Sequence, residues 1–282
     1  MVAALLLPRL REVGAEVVLL GRADVSAVVS PAELAAKLAG ADAIVHLVGT
    51  LRGRSRADYL EAHLETTRRL LAAGEAQHVA RMVYLSIPGA DPLSKNPYLE
   101  SKGRGEAAVY QSTLAPTVFR IGPVLGPARP ISDLIEMARA GRMLLPGGGH
   151  ARTRPVAVED VARLLVEALT GDRARGAMLE VGGPAVHEHR EIALEVAAAL
   201  GVRAAVWAVP TAIARGFAWY EVKRHAHPAY SPEGVDIALR DMPVDLGPLG
   251  RDFTLPATTM PEAVRRSVAH LVGGAAAGAA GR

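Results

Sequence analysis

Tyr98 and Lys102 stand four residues apart, and Ser86 lies twelve residues before the tyrosine at the end of an apolar run. On a helix, residues four apart share a face. A cation beside a phenol, reinforced by the positive N-terminus of that helix, favours the phenolate and predicts a Tyr98 pKa below its ordinary value of about 10. A serine hydroxyl at a strand end can hold a substrate carbonyl or hydroxyl against the tyrosine. These are the parts of a proton-transfer site that works beside a hydride carrier. The competing reading is an amphipathic helix with a half-buried tyrosine and a solvated lysine.

The elements needed to position such a site are present. Arg81-Met-Val-Tyr-Leu-Ser86 has strand composition, and Asn96-Pro97 is a helix-start signal, with Asn as cap and Pro at the first helical position. Upstream, a helix pattern over 3–13 stops at Gly14 and leads to a strand expected at 16–20. Ser30-Pro31-Ala32-Glu33 is a capping box that starts a helix ending near Gly40. A strand at 43–48 runs into Gly49, followed by a long helix over about 56–75, and a further strand covers 117–121. Continuous apolar strands alternating with helices predict an α/β fold built on a doubly wound parallel sheet. Beyond residue 122 the pattern loosens into helices at 130–140, 155–169 and 187–200, with a short strand at 177–181. The expected organisation is a larger α/β domain over 1–185, a smaller lobe over 186–272 and a Gly/Ala-rich disordered tail over 273–282.

Composition narrows the function. The chain has 282 residues, half of them hydrophobic, a net charge of +3 and no cysteine, so disulfide and thiol chemistry are excluded. Its basic residues are scattered along the sequence, which suggests neither nucleic-acid nor membrane-surface binding. The histidine pairs His187/His189 and His225/His227 lack a third ligand at metal-site spacing. No apolar run reaches the ~18 residues that cross a bilayer. Residues 1–7 lack the flanks of a signal peptide and read as one side of a helix, so a cytoplasmic location is expected. Most of the scarce aromatics, Trp207, Phe217, Trp219, Tyr220 and Tyr230, fall in the C-terminal lobe, where core packing is the favoured reading over a substrate pocket. Arg152 and Arg154 suit either an anionic substrate or a solvated loop.

Several segments, taken in order, resemble the atypical, extended short-chain dehydrogenase/reductases, and most closely the group around the NADPH-binding accessory subunit of respiratory complex I. They are Gly40-Ala-Asp-Ala-Ile-Val-His-Leu-Val-Gly49, Val83-Tyr-Leu-Ser-Ile-Pro-Gly-Ala-Asp91, Tyr98-Leu-Glu-Ser-Lys-Gly-Arg-Gly-Glu106, Arg120-Ile-Gly-Pro-Val-Leu-Gly126, Pro155-Val-Ala-Val-Glu-Asp-Val-Ala162 and Glu180-Val-Gly-Gly-Pro184. The resemblance implies a Rossmann domain in which Tyr98 is the acid/base, Lys102 holds the nicotinamide ribose and Ser86 positions the substrate oxygen. It further implies cofactor contacts at Leu47, Gly49 and Pro123. Arg22 follows the strand expected at 16–20, where NAD-specific proteins carry an acidic residue for the ribose 2′-hydroxyl. An arginine there suits a 2′-phosphate, so NADP is favoured over NAD, with Asp24 as a complication.

One departure stands out. A Rossmann domain opens with a strand and a Gly-rich turn that binds the pyrophosphate. Residues 3–13 already match the helix after that turn, and this sequence shows neither the strand nor the turn before it. The favoured expectation is a start codon placed too far downstream, over a truncated variant that binds cofactor poorly or not at all. Two functions are carried forward. The first is an NADP(H)-dependent oxidoreductase acting on a small carbonyl or hydroxyl substrate. The second is a non-catalytic NADPH-binding structural or assembly subunit, or a redox sensor. A scaffold binding only protein partners is a third. A protein complex or a homo-oligomer is compatible with each.

Overall fold

The computed structural model describes residues 1–171 and 174–279. Its central sheet has four parallel strands in the order β1 (Ala43–His46), β2 (Arg81–Ser86), β3 (Ala115–Ile121) and β8 (Ala177–Val181). His46 lies opposite Tyr84, Ser86 opposite Arg120 and Ile121 opposite Val181, so the carboxyl ends form one edge. The central strands β2 and β3 are mostly buried because both sheet faces are covered, whereas the edge strand β8 leaves Met178 exposed. Val83, Phe119 and Val181 pack on Leu6 and Leu10 of α1 (Val2–Glu12) and Leu164 and Leu165 of α7 (Val158–Thr170). Met82, Tyr84 and Val118 face the other way. They meet Leu34 of α2 (Pro31–Lys37), Leu70 and Leu71 of α4 (Thr66–Ala76) and Val109 of α5 (Pro97–Gln111). The capping box at Ser30 forms as the sequence predicts. The long helix before β2 is α3 (Arg56–Leu60) and α4 joined by a π-helical turn, Glu61–Glu65.

The strand expected at 16–20 does not form. Residues 15–20 form no helix or strand, and among the described residues β1 pairs only with β2. Val17 and Leu20 still pack against the two cores, while Val18 and Leu19 are 66% and 63% exposed. The β-forming composition is there, but a strand exists only through its ladder partner.

A second core joins elements from both sides of residue 185. Leu134 of α6 (Ile131–Arg139) and Met143 of β5 (Arg142–Pro146) pack with Val196 of α8 (His189–Ala199) and Val264 of α12 (Met260–Ala279). β5 pairs in parallel with β10 (Ala205–Val209), which leads through Pro210 into α9 (Thr211–Arg224). Short pairs link the two cores: β4 (Val124–Leu125) with β7 (Val156–Ala157), and β6 (Arg152–Thr153) with β9 (His187–Glu188). The helix α10 (Pro232–Ala238) packs on α9 through Val235, while Leu249 of α11 (Leu249–Asp252) joins the core on the central sheet. α12 runs on through Ala279, into the stretch expected as a tail, and residues 280–282 lie outside those described.

The aromatics of this lobe are not core. Trp207, Phe217, Trp219 and Tyr220 are 49–59% exposed, and only Tyr230 is half-buried. Small side chains, Ala214 and Ala218, take the inward positions of α9 instead.

Candidate nucleotide and proton-transfer site

α5 carries the site and is fixed at its start and along its length. Asn96 caps it, its Oδ1 accepting from the Tyr98 and Leu99 amides at 3.0 and 3.3 Å, and Pro97 opens the first turn. Two glycines then let it press onto its neighbours. A Cβ at Gly103 would lie 2.4 Å from the Asp91–Pro92 backbone, and one at Gly105 would lie 2.3 Å from the Tyr84 hydroxyl. Such close approach is possible only without a side chain. Lower on the helix, Glu106 takes a bidentate pair from Arg120 at 2.6 and 2.9 Å, and Arg120 also donates to the Ala90 carbonyl at 3.0 Å. That ties α5, the end of β3 and the loop after Ser86 into one unit.

The predicted site residues occupy this carboxyl edge. Ser86 ends β2 with its Oγ buried and without a hydrogen-bond partner. Lys102 is buried and donates from Nζ to the Leu85 carbonyl at 2.8 Å, with Nζ 5.1 Å from the centre of the Tyr84 ring. Gly49 follows β1, and a Cβ there would sit 3.6 Å from the Lys102 Nζ. Leu47, half-buried, packs at the end of the same strand. Arg22 donates to the Gly49 carbonyl at 2.9 Å, which brings the 16–22 segment to the site although it forms no strand. Asp24 is occupied elsewhere, accepting from the Gly21 amide and paired with Lys37. Pro123 lies between β3 and β4, its carbonyl accepting from the Val156 amide at 2.9 Å.

The electrostatics reverse one expectation. Tyr98 packs against Tyr59, Leu99, Ile237 and Met242, and burial raises its pKa to about 12 instead of lowering it. Among the described residues it makes no hydrogen bond to Lys102 or Ser86, because the Lys102 ammonium is turned to the Leu85 carbonyl. Burial lowers Lys102 to about 8. The helix face is shared as the spacing requires, but a buried phenol without a facing charge stays neutral.

His63 is a candidate site residue that the sequence reading missed. It is fully buried on the π-helical turn, a geometry that concentrates at functional sites. Its Nε2 accepts from the Thr50 amide at 2.9 Å, which leaves the proton on Nδ1 for Ser101 Oγ at 2.8 Å, and Ser101 donates on to the Tyr98 carbonyl at 2.8 Å. Its ring meets the Tyr98 ring edge-on at 5.4 Å, and a Cβ at Gly49 would lie 3.1 Å from Nε2. Burial, with Lys102 nearby, lowers its pKa to about 2. His46 beneath it, bonded to Thr67 at 2.9 Å, is lowered to about 3 by burial first and Lys102 second. The available signal was a polar residue on a buried stripe, since His63, Thr67, Leu70 and Leu71 share one face. No group of metal-ligating side chains occurs among the described residues. Arg154 lines an open pocket with Arg251 and Pro184, while Arg152 is exposed.

A nicotinamide cofactor fits part of this edge. Lys102 has ammonium protons beyond the one given to Leu85, Ser86 Oγ is unpaired, and the bare α-carbon of Gly49 leaves room beside both Lys102 and His63. No Gly-rich turn between a strand and a helix occurs among the described residues to take a pyrophosphate.

A doubly wound parallel sheet with its polar residues gathered at the carboxyl edge defines a nucleotide-binding α/β protein of the Rossmann type. The chain belongs to the NAD(P)H-binding family, whose model matches residues 7–172. It is 25% identical over 206 residues to the mitochondrial NADH-ubiquinone oxidoreductase 40 kDa subunit of Neurospora crassa, covering 72% of this chain and 54% of that one. It is 30% identical over 162 residues to the mitochondrial NADH dehydrogenase [ubiquinone] 1 alpha subcomplex subunit 9 of Arabidopsis thaliana, covering 56% of this chain and 40% of that one. It therefore spans about half the length of these relatives. In fold it matches MoeE5 in complex with UDP-glucose and NAD (TM-score 0.75, 18% identity, 97% and 96% coverage). It also matches RMD from Pseudomonas aeruginosa complexed with NADPH (TM-score 0.74, 18% identity, 97% and 96% coverage). No helix among the described residues is long and apolar enough to cross a membrane.

Proposed function

We propose that this protein is an NADP(H)-dependent oxidoreductase that reduces a small carbonyl substrate, with Tyr98 as proton donor. The observation that carries this reading is the buried, unpaired Ser86 hydroxyl at the strand end next to Leu85, whose carbonyl anchors Lys102. An unpaired buried hydroxyl costs stability and is retained where a ligand completes it. When bound, the nicotinamide supplies or accepts the hydride. Lys102 would hold the adjoining ribose, and Ser86 would donate to the substrate oxygen. A phenol kept neutral starts in the state needed to protonate that oxygen as it gains charge. His63 fixes the Gly49–Thr50 turn on one side and, through Ser101, the first turn of α5 on the other. Arg22 at the Gly49 carbonyl supports NADP over NAD, because an arginine there matches a 2′-phosphate.

A second reading rests on a separate observation: Tyr98 is sealed by Ile237 and Met242 from the C-terminal lobe. With the respiratory relatives, that seal favours a subunit that binds NADPH without turning it over. Titration with NADPH and NADH, followed by a carbonyl-substrate panel against Tyr98→Phe, separates the two. Turnover lost in Tyr98→Phe with binding retained supports the oxidoreductase, whereas tight NADPH binding with no turnover of any substrate selects the binding subunit. Failure of the folded chain to bind either nucleotide overturns both.

A further inference from the structure

We infer that the outward face of α9 docks on an anionic phospholipid surface. The helix inverts the usual order of burial, with Ala214 and Ala218 packed inward against Val235 while Ile213, Phe217, Trp219 and Tyr220 point out at 49–62% exposure. Large apolar side chains at i, i+4 and i+7 on the solvent side serve no core.

The exposed charges carried by α9 itself are cationic, and Arg215 among them is paired with Asp236 of α10. Every exposed residue of α9 is apolar, small or cationic. Its one acidic residue, Glu221, is turned inward, accepting from the Ala229 amide at 3.1 Å. Lys223 stands over the Trp219 ring at 5.6 Å and Arg224 over the Tyr220 ring at 6.0 Å. Arg54 joins the same end of the helix by donating to the Val222 carbonyl at 3.3 Å. Lys223 and Arg224 are neighbours in the sequence, and the fold adds Arg54 to them. Indole and phenol rings flanked by Lys and Arg form the composition that settles at a bilayer interface, with rings at headgroup depth and cations on lipid phosphates. A symmetric contact with a second copy would bring two patches of like net charge together, which disfavours self-association through this face. Charge complementarity selects an anionic surface.

Both tryptophans of the chain lie in this region, Trp219 on the helix and Trp207 four residues before it, so Trp207→Phe leaves Trp219 as the sole indole. The full chain carrying that change is mixed with phosphatidylcholine vesicles with and without phosphatidylglycerol, and sedimentation and Trp219 emission are read together. The expected result is sedimentation and a blue shift only with phosphatidylglycerol, reversed by salt, and weakened about tenfold or more by Lys223→Glu with Arg224→Glu. Phe217→Ser with Ile213→Ser, both at exposed positions, is expected to abolish binding while leaving the melting temperature unchanged. Vesicle binding that is absent, or unaltered in both variants, overturns the proposal. So does a stable dimer in light scattering whose Trp219 is already shielded, which would assign the face to a second copy.

Discussion

α5 and α9 are helices of 15 and 14 residues, and both break the rule of apolar inside and polar outside, in opposite directions. α5 buries Glu100, Ser101, Lys102 and Glu106, whereas α9 exposes Ile213, Phe217, Trp219 and Tyr220. In α5 the burial is made tolerable by Arg120, by Arg56 and Arg104 on Glu100, and by the Leu85 carbonyl on Lys102. In α9 the exposed rings meet only Lys223, Arg224 and Tyr230 among the described residues, and about half of each stays open to solvent. Charge buried within a satisfied network makes α5 rigid, whereas aromatics shown to solvent leave α9 with apolar surface that its own fold does not cover.

The glycines give the sharpest way to break this contrast. Gly103→Ala is expected to destabilise the protein by about 3 kcal/mol, because its Cβ would overlap backbone that cannot move aside as a side-chain tip could. Urea unfolding reads the loss directly, and an unchanged midpoint would show that α5 is not pressed onto the Asp91–Pro92 segment.

Lys102 tests whether α5 sacrifices stability for function. Its folded pKa, near 8, lies below the ordinary 10.5, so the unfolded chain binds more protons between those values and stability rises with pH across that window. Below pH 8 the buried charge is a cost. Lys102→Met is expected to stabilise the protein at pH 7 by roughly 2 kcal/mol, after discounting the lost bond to Leu85, while abolishing NADPH binding. In the native chain, NADPH affinity is expected to fall as pH climbs through about 8, and to stay flat in Lys102→Arg if that variant binds. A Lys102→Met protein that binds NADPH normally would remove Lys102 from the site.

The buried imidazoles under α5 act at the acid end. His63 and His46 take up protons only near pH 2 and 3 when folded, against about 6.5 unfolded. The unfolded chain therefore binds more protons below about pH 6.5, and stability falls as pH drops through that window. Each contributes a loss of roughly 2 kcal/mol by pH 5. His63→Asn is expected to flatten the decline between pH 6.5 and 5, read by thermal unfolding across pH, and an unchanged slope would place the acid lability elsewhere.

What could be read in the sequence follows from where the information is local. Arg81–Ser86 and Ala177–Val181 form strands at the expected residues because short apolar-rich runs bounded by turn residues carry a local strand signal, whether the strand is central like the first or at the sheet edge like the second. The Asn96 cap and the Tyr98/Lys102 spacing are likewise local. The 16–20 segment failed because a strand is defined by its partner. The direction of the Tyr98 shift failed because Ile237 and Met242, some 140 residues away in the chain, set its surroundings. The aromatics of α9 misled for a related reason: composition reports that large apolar side chains exist, and packing alone decides which way they face.

The smallest prediction returns to the contrast between the helices. Gly216 lies on the exposed side of α9, and a Cβ there would meet nothing within 4 Å. Gly216→Ala should therefore gain the ordinary helix-propensity difference, about 0.5–1 kcal/mol, as a small rise in melting temperature. The same substitution is thus expected to stabilise one helix and disrupt the other, so the pair measures tightness of fit with residue chemistry held constant. If Gly216→Ala were destabilising instead, α9 would have to pack against something that its exposed aromatics do not show. Both the comparison and the assignment of its outward face to a lipid surface would then fall together.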